Sequence, residues 1–552
     1  MRVVGLSAGL ALTLVSAVSA ARDVQTPQLS FASVDWPAAI ATLPIAEPPP
    51  VAPMSAKSRL GANRTTAPAL ARINSIMSQQ FAGIATSPVP VLVPFDVSAL
   101  LRDRDANAET DADQYYSGFH AARFFYPGPA GYDAAFAIRT GDIPELADNK
   151  LADPIEVQIS GSALLYDLGA PIVVEGQPVP ALDEEFPGIR KMNLEHHLRY
   201  TFVRFGVPYV VSIACFDANA PRYKMPTCRT ADQAALRFLR ALRVAGGMPR
   251  SLRPARPLPI EQPERVSYSF GYYGPGQLLS GTGFHNQRGR VDYTVYSQIR
   301  FPLADAPAFA GSEVYRRERS ASEAEDAGAS MRPWRDNFCE RRGFPVAQCP
   351  AGIGHQGQDI HPGPCKPPPG MERCTHHEDV VAVRDGVILR SPRQEAAYLF
   401  VNSANEHIRF RYLHMNPKKM DADNLLNGRR VHEGEIIGEV SNFSMKENGT
   451  SYHVHFDVQV PTRYGWVFVN PYMTLVAAYE RLIGQRGTEL ADPSLVATAD
   501  PTSTGSAPSS SRLEPDRPRP SQHVKQERGR RTLARAHRMQ DKRRRQRLAH
   551  SG

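Results

Sequence analysis

Short runs of alternating apolar and polar positions dominate the first half of the chain. They occupy residues 91–95, 121–126, 134–138, 155–160, 172–174 and 198–216, and turn residues separate them. Period-two alternation over a few residues is typical of strands with one buried face. Residues 231–244 have helical spacing, with Thr230 and Gln233 as a capping box and Gly246 as a stop. Residues 88–250 therefore predict a β-rich domain with one or two helices.

A second group of strand patterns lies in residues 331–485, where residues 380–388 predict two strands joined at Asp385-Gly386. A helix is predicted from Asn470-Pro471 to Ile483. Strand-like runs at residues 266–273 and 291–301 predict a connecting β segment over residues 251–330. The fold class that follows is mainly β, with a C-terminal antiparallel domain preceded by a separate N-terminal one.

The flanks of these regions differ in composition. Residues 1–20 combine Arg2, a short apolar run and small residues, which indicates a secretory signal peptide, with a retained anchor as the alternative. Residues 21–87 are assigned to a linker, because residues 21–68 are rich in Ala and Pro. A weak helical pattern follows at about residues 70–84. Residues 486–552 predict a disordered basic tail. No later apolar run approaches membrane length, so no span is expected in the mature chain.

The net charge of +8 resides in the tail, because residues 525–552 carry eleven Lys or Arg against two acidic residues. The rest of the chain is nearly neutral. A cationic tail of this kind can hold an exported protein on an anionic envelope polymer. Nucleic acid is not expected as a partner.

The six cysteines fall into close sequence pairs, and none forms Cys-x-x-Cys. Local pairs in an exported chain predict disulfides rather than a zinc knuckle, although other pairings remain open. The predicted bridges are Cys215–Cys228, Cys339–Cys349 and Cys365–Cys374. They agree with a location in the periplasm or cell envelope.

Candidate chemistry is concentrated in three segments of the C-terminal region. They are Gly354-His355-Gln356-Gly357-Gln358-Asp359, Tyr412-Leu413-His414-Met415 and Tyr452-His453-Val454-His455-Phe456-Asp457. Four imidazoles with the carboxylate of Asp359 are the groups that a water-activating zinc site needs. By contrast, the adjacent His196 and His197 are more typical of a surface pair than of a site.

Spacing constrains how these groups can meet. His453 and His455 lie on one face of a predicted strand, roughly 7 Å apart at Cα, so one can bind a metal while the other serves water or substrate. An extended chain would hold His355 and Asp359 about 13 Å apart, which is too far for two ligands of one metal. The chain between them must fold back, and Gly357 permits unusual backbone conformations there.

These motifs resemble those of the lysostaphin/LytM-type zinc endopeptidases of bacterial cell walls, over roughly residues 331–485. Residues 380–388 and 431–438 resemble the framework strands and turns of that family. The resemblance implies that His355, Asp359 and His455 bind one zinc ion, and that His414 and His453 are catalytic without being ligands. Met415 in place of leucine and an insertion-like loop at residues 361–379 depart from the family pattern.

The function implied by this resemblance is an exported zinc metalloendopeptidase that hydrolyses stem or cross-bridge peptides of peptidoglycan. Two alternatives stay open. One is a non-catalytic LytM-like regulator of other wall hydrolases, and the other is an exported metallopeptidase that acts on proteins. Residues 88–330 contain no convincing catalytic constellation, so their role is not predicted.

Overall fold

The computed structural model describes residues 23–43, 66–102, 112–142, 144–146, 151, 153–169, 176–194, 197–215, 226–253, 256–312, 333–363 and 376–491. Several predictions lie outside these residues and stay predictions. They include the signal peptide at 1–20, the strand at 172–174, the bridge Cys365–Cys374 and the basic run at 525–552.

Strands make up most of the regular structure. Those of the first half are β1 Gln28–Phe31, β2 Val91–Val93, β3 His120–Gly128, β4 Gly131–Ile138, β5 Ile155–Ser162, β6 Leu164–Asp167, β7 Gln177–Pro178, β8 Arg190–Leu194, β9 His197–Arg204, β10 Val207–Ala214 and β11 Arg243–Gly246. Those of the second half are β12 Val266–Tyr273, β13 Ala308–Ala310, β14 Gln358–Pro362, β15 Asp379–Val381, β16 Gly386–Leu389, β17 Ala397–Asn402, β18 His407–Leu413, β19 Arg430–Val431, β20 Ile436–Glu439, β21 Val454–Thr462, β22 Gly465–Val469 and β23 Arg486–Leu490. The α-helices are α1 Trp36–Ala41, α2 Thr66–Met77, α3 Val97–Arg102, α4 Cys228–Ala241, α5 Pro417–Ala422 and α6 Tyr472–Ile483.

A seven-stranded antiparallel sheet, in the order β3-β4-β5-β10-β9-β8-β7, forms the N-terminal part. Helix α4 buries an apolar face against it, including Phe238 and Leu239. This helix begins earlier than predicted, because Thr227 and not Thr230 is the N-cap and accepts a hydrogen bond from Thr230 N–H over 3.1 Å. The disulfide between Cys215 and Cys228 ties its first residue to the end of β10.

The second sheet has eight strands in the order β13-β14-β21-β18-β17-β16-β19, with β22 paired to the far half of β21. All its neighbours are antiparallel. Helix α6 ends at Gly484, which adopts a left-handed conformation with φ 67°. Several antiparallel sheets account for most of the described chain, so the prediction of a mainly β fold is confirmed.

The two large sheets lie in one compact unit, and buried polar side chains join them. His407 Nε2 of β18 lies 3.0 Å from Asp133 Oδ2 of β4. Burial opposes ionisation of Asp133, but His407, Arg409 and Ser160 together outweigh burial and lower the pKa of the carboxyl. His197 also faces this boundary and is buried, so its prediction as a surface residue is wrong. Its neighbour His196 lies outside the described residues.

Two predicted boundaries need correction. The predicted linker at 21–87 contains β1 and α1, and Trp36 of α1 is buried. It also contains α2 with the buried Ile73 and Met77, which overlaps the weak helical pattern predicted at residues 70–84. An Ala/Pro-rich composition suits helices as well as linkers when proline stands in the first turn, as in α1. The predicted tail at 486–552 starts too early, because β23 pairs in parallel with β12.

Two predicted disulfides, Cys215–Cys228 and Cys339–Cys349, are present in the structure. Such bridges form and persist in oxidising compartments. Among the described residues, helices reach neither the length nor the apolar character needed to cross a membrane.

Candidate metal centre

Three side chains of ligand type converge at the edge where β14 meets β21. His355 Nε2 lies 3.0 Å from His455 Nδ1. Asp359 Oδ1 lies 3.5 Å from the first nitrogen and 3.3 Å from the second. All three residues are buried, and their ligand atoms lie within 4.8 Å of one another. Two imidazole nitrogens and one carboxylate oxygen are the donors of many catalytic zinc sites.

Strand register explains two of these positions. Asp359 of β14 stands directly opposite His455 of β21 in the antiparallel ladder. His355 precedes β14 and reaches the pair because the chain bends at Gly357. The reason for glycine differs from the expected one, since Gly357 is not among the residues with positive φ. A Cβ there would lie 2.4 Å from the Phe456 carbonyl oxygen, so close approach excludes any larger residue.

Polar neighbours on the outer side of each histidine set which nitrogen carries the lone pair. His355 Nδ1 lies 3.0 Å from the Asn337 carbonyl oxygen, which can only accept, so Nδ1 carries the proton and Nε2 faces Asp359. Asp457 Oδ2 lies 3.4 Å from His455 Nε2 and likewise favours the proton there. Both lone pairs therefore point toward the Asp359 carboxylate. Three lone-pair donors that converge in a buried space fit a cation.

Electrostatics keep the two carboxylates at this site ionised. Burial opposes ionisation of Asp359, but His355 and the neighbouring imidazoles hold the pKa of its carboxyl well below its usual range. Burial opposes ionisation of Asp457 as well, yet its ion pair with Arg411 lowers the pKa of that carboxyl. Both carboxylates are thus negative at neutral pH.

Asn337 holds two members of the set at once. Besides accepting from His355, it donates from Nδ2 to Asp359 Oδ2 over 2.7 Å, and its Oδ1 accepts from Asp359 N–H over 3.1 Å. The residue is fully buried. Sequence reasoning missed it, because nothing in the local pattern connects it to a ligand 22 positions later. Asp457 could have been predicted from the sequence, because it shares a strand face with His455.

The remaining two histidines lie beside the donor set. His453 Nε2 is 3.7 Å from Asp359 Oδ1, and His453 Nδ1 lies 2.9 Å from the Ser451 carbonyl oxygen. His414 Nδ1 lies 3.0 Å from the Phe443 carbonyl oxygen, and its ring centroid is 4.8 Å from that of His453. Because each carbonyl binds Nδ1–H, the lone pair of each imidazole is on Nε2. These nitrogens can take up or release a proton next to the donor set.

His414 has φ 71°, a left-handed conformation that is uncommon for residues other than glycine. It follows the last residue of β18, so this conformation turns the chain sharply at the end of the strand. Such strain persists only where the surroundings determine the conformation, and it is frequent at functional sites. The hydrogen bond to Phe443 is one such determinant.

Two histidines near the end of the insertion-like loop do not join the centre. His376 Nδ1 lies 2.8 Å from Glu378 Oε1, and its ring packs against Tyr452. His377 is mostly exposed and lies near Glu439. Residues 364–375 of the loop lie outside the described residues.

Two solved structures are similar to parts of this chain. One is of LytM from Ruminococcus gnavus, assigned as a glycyl-glycine endopeptidase, with 14% identity and a TM-score of 0.20. The match covers 35% of this chain and 64% of that one, less than two thirds of its length. The other is Csd3 of Helicobacter pylori, with 12% identity, a TM-score of 0.15, and coverage of 66% and 74%.

No protein-family model matches the chain. Curated proteins give no match either. With TM-scores as low as those of the two structures, the chemistry of this chain has to be derived from its own residues.

Proposed function

We propose that this protein is an exported zinc-dependent endopeptidase that hydrolyses peptide bonds of peptidoglycan. The observation that carries the proposal is the buried set of His355 Nε2, Asp359 Oδ1 and His455 Nδ1, with two further histidines beside it. In this proposal the three residues hold one zinc ion. A zinc ion with three protein ligands supplies a Lewis acid that activates water and polarises a carbonyl group.

The residues around the donor set suit the proton transfers of peptide hydrolysis. His453 Nε2 lies next to Asp359, where it can accept a proton from the attacking water. His414 can donate a proton to the leaving amine or stabilise the negative charge that develops on the scissile carbonyl oxygen. Burial of the donor set lowers the local dielectric constant and strengthens both effects.

The substrate class is supported by the resemblance of the three motifs to wall endopeptidases, and the compartment by the disulfides. Peptidoglycan lies outside the cytoplasmic membrane, where disulfides persist. The basic run at 525–552 would add attraction to anionic envelope polymers. A non-catalytic regulator is less well supported, because the donor set is intact.

The test uses the purified chain after removal of the predicted signal peptide. Metal analysis should find about one zinc per chain. Digestion of purified peptidoglycan should release fragments whose masses show newly cleaved peptide bonds, and Asp359→Asn should release none. Zinc-loaded protein that leaves peptidoglycan intact contradicts the proposal. Cleavage of casein without cleavage of peptidoglycan would support the protein-degrading alternative.

A further inference from the structure

Buried polar side chains of β9 contact the sheet that carries the metal centre. His197 and Arg199 share one face of β9, because alternate strand residues point the same way. His197 Nε2 lies 3.0 Å from the Tyr398 hydroxyl oxygen. Arg199 Nη2 donates to Gln459 Oε1 over 2.5 Å. The seven-stranded sheet thus contributes a buried cation to β21, the strand of His455.

From Gln459, the partner of Arg199, further polar contacts lead along β21 to the metal centre. His455, Asp457 and Gln459 occupy alternate positions and therefore one face of this strand. Gln459 Nε2 donates to Asp457 Oδ1 over 3.1 Å. The other oxygen, Asp457 Oδ2, lies 3.4 Å from His455 Nε2. Arg199, Gln459 and Asp457 are all buried, so bulk water does not compete for these contacts.

Arg199 determines the direction of this chain of hydrogen bonds. A guanidinium group only donates, so it selects the orientation in which Gln459 presents Oε1 to it. In that orientation the amide nitrogen of Gln459 faces Asp457 and donates to it. The reversed amide would set its nitrogen against Arg199 and its oxygen against a carboxylate. Arg199 also lies over the Phe468 ring, 5.2 Å from the centroid, which restricts its own position.

We propose that Arg199 is a positioning residue for the metal centre and acts through Gln459 and Asp457 on the orientation of His455. This inference rests on the proposed function, since it concerns the zinc ligand His455. Outer-shell partners of ligating histidines fix ring orientation and contribute roughly 10–100-fold to metal affinity. With this role for Arg199, the seven-stranded sheet helps to build the metal centre.

The experiment measures zinc affinity by chelator competition and the visible absorption spectrum of the cobalt(II)-substituted protein. Arg199→Met removes the donor to Gln459. Gln459→Glu keeps an acceptor for Arg199 but cannot donate to Asp457. Both substitutions should lower zinc affinity at least about tenfold and alter the cobalt spectrum. Arg199→Lys, which keeps a charged donor, should recover part of the loss.

Glu156→Gln is the matched control. Glu156 accepts hydrogen bonds from Ser391 and Asn427 across the same boundary between sheets, without a connection to β21. The zinc affinity of Glu156→Gln should stay within about twofold of wild type. This change is well below the one expected when a hydrogen-bond partner of a ligating histidine is lost. An equal loss of zinc affinity in this control would mean that any loosening of the boundary between the sheets lowers zinc affinity. That result would overturn the inference.

Unchanged zinc affinity and an unchanged cobalt spectrum in Gln459→Glu would also overturn it, even if Arg199→Met fails to fold. A wild-type protein that binds no zinc contradicts the proposed function, and the inference with it. A wild-type protein that binds zinc, with variants that match it, contradicts only the inference.

Discussion

The side chain of Asn337 bonds Asp359 twice, once at the carboxylate and once at the main-chain N–H. Through this pair the segment before β14 fixes both the backbone and the side chain of a proposed zinc ligand. The carbonyl oxygen of Asn337 orients His355 as well. We therefore expect Asn337→Ala to lower zinc affinity by roughly 10–100-fold, the usual effect of losing an outer-shell partner.

Chelator competition measures this effect. Asn402→Ala is the control, because Asn402 is also buried and bonds a main-chain N–H, that of Ala130, away from the centre. Similar zinc affinity in the two variants would show that Asn337 does not support the donor set.

His453 and His455 are two positions apart and differ in their proposed roles. His455→Ala should lower zinc affinity by more than the roughly 100-fold of an outer-shell loss, and should abolish hydrolysis. His453→Ala should keep zinc and lower kcat by about 10²–10⁴-fold, because a proton acceptor is lost. Metal content and single-turnover hydrolysis of wall fragments distinguish them. Loss of zinc in His453→Ala with retention in His455→Ala would reverse the assignment.

The two observed disulfides offer a matched comparison. Each closes a short ring, so replacing either pair by serine should cost roughly 2–3 kcal/mol of unfolding free energy in the chain-entropy account. Only Cys339 adjoins the centre, since its N–H donates to the His355 carbonyl oxygen over 3.0 Å. We expect the Cys339/Cys349 double serine variant to lose zinc affinity as well. The Cys215/Cys228 variant should keep its zinc affinity. Equal zinc affinities in the two variants would show that the Cys339–Cys349 bridge does not support the centre.

Glu340 should make stability depend on pH. Burial raises the pKa of its carboxyl from 4.5 to about 8. Between about pH 5 and 8 the folded state therefore holds a proton that the unfolded chain has lost. The contribution of Glu340 to the free energy of unfolding is largest below this pH window. It falls as the pH rises, by up to about 1.4 kcal/mol per pH unit.

Glu340→Gln cannot ionise, so its stability relative to wild type should rise from pH 5 to pH 8. Urea unfolding in the presence of a chelator, which removes any contribution from metal, measures the difference. A difference that stays constant over this range would contradict the prediction.

The C-terminal boundary can be tested by two truncations. Removal of everything after Ala491 should leave the Tm unchanged and weaken retention on anionic envelope material at low salt, because the basic run is lost. Removal of everything after Gly487 should also lower the Tm, since it deletes three of the five residues of β23 and the Glu489 carboxylate that binds the Tyr293 hydroxyl. Equal Tm values for the two truncations would show that β23 does not stabilise the fold.

The sequence alone was sufficient for the mainly β fold, for two disulfides and for the five residues around the proposed centre. Strand periodicity and motif spacing are local properties, so a single chain reports them directly. The grouping of His355, Asp359 and His455 came from the resemblance of their segments to the motifs of a known family.

Only the tertiary structure revealed the contacts that Asn337, Asp457 and Arg199 make near the proposed centre. Their contacts join positions far apart in the chain or in different sheets, and such pairings depend on how the strands assemble. The same limit explains the errors at residues 21–87 and 486–490. Composition predicted a linker and a tail there, whereas burial of Trp36 and the pairing of β23 with β12 are decided by partners distant in sequence.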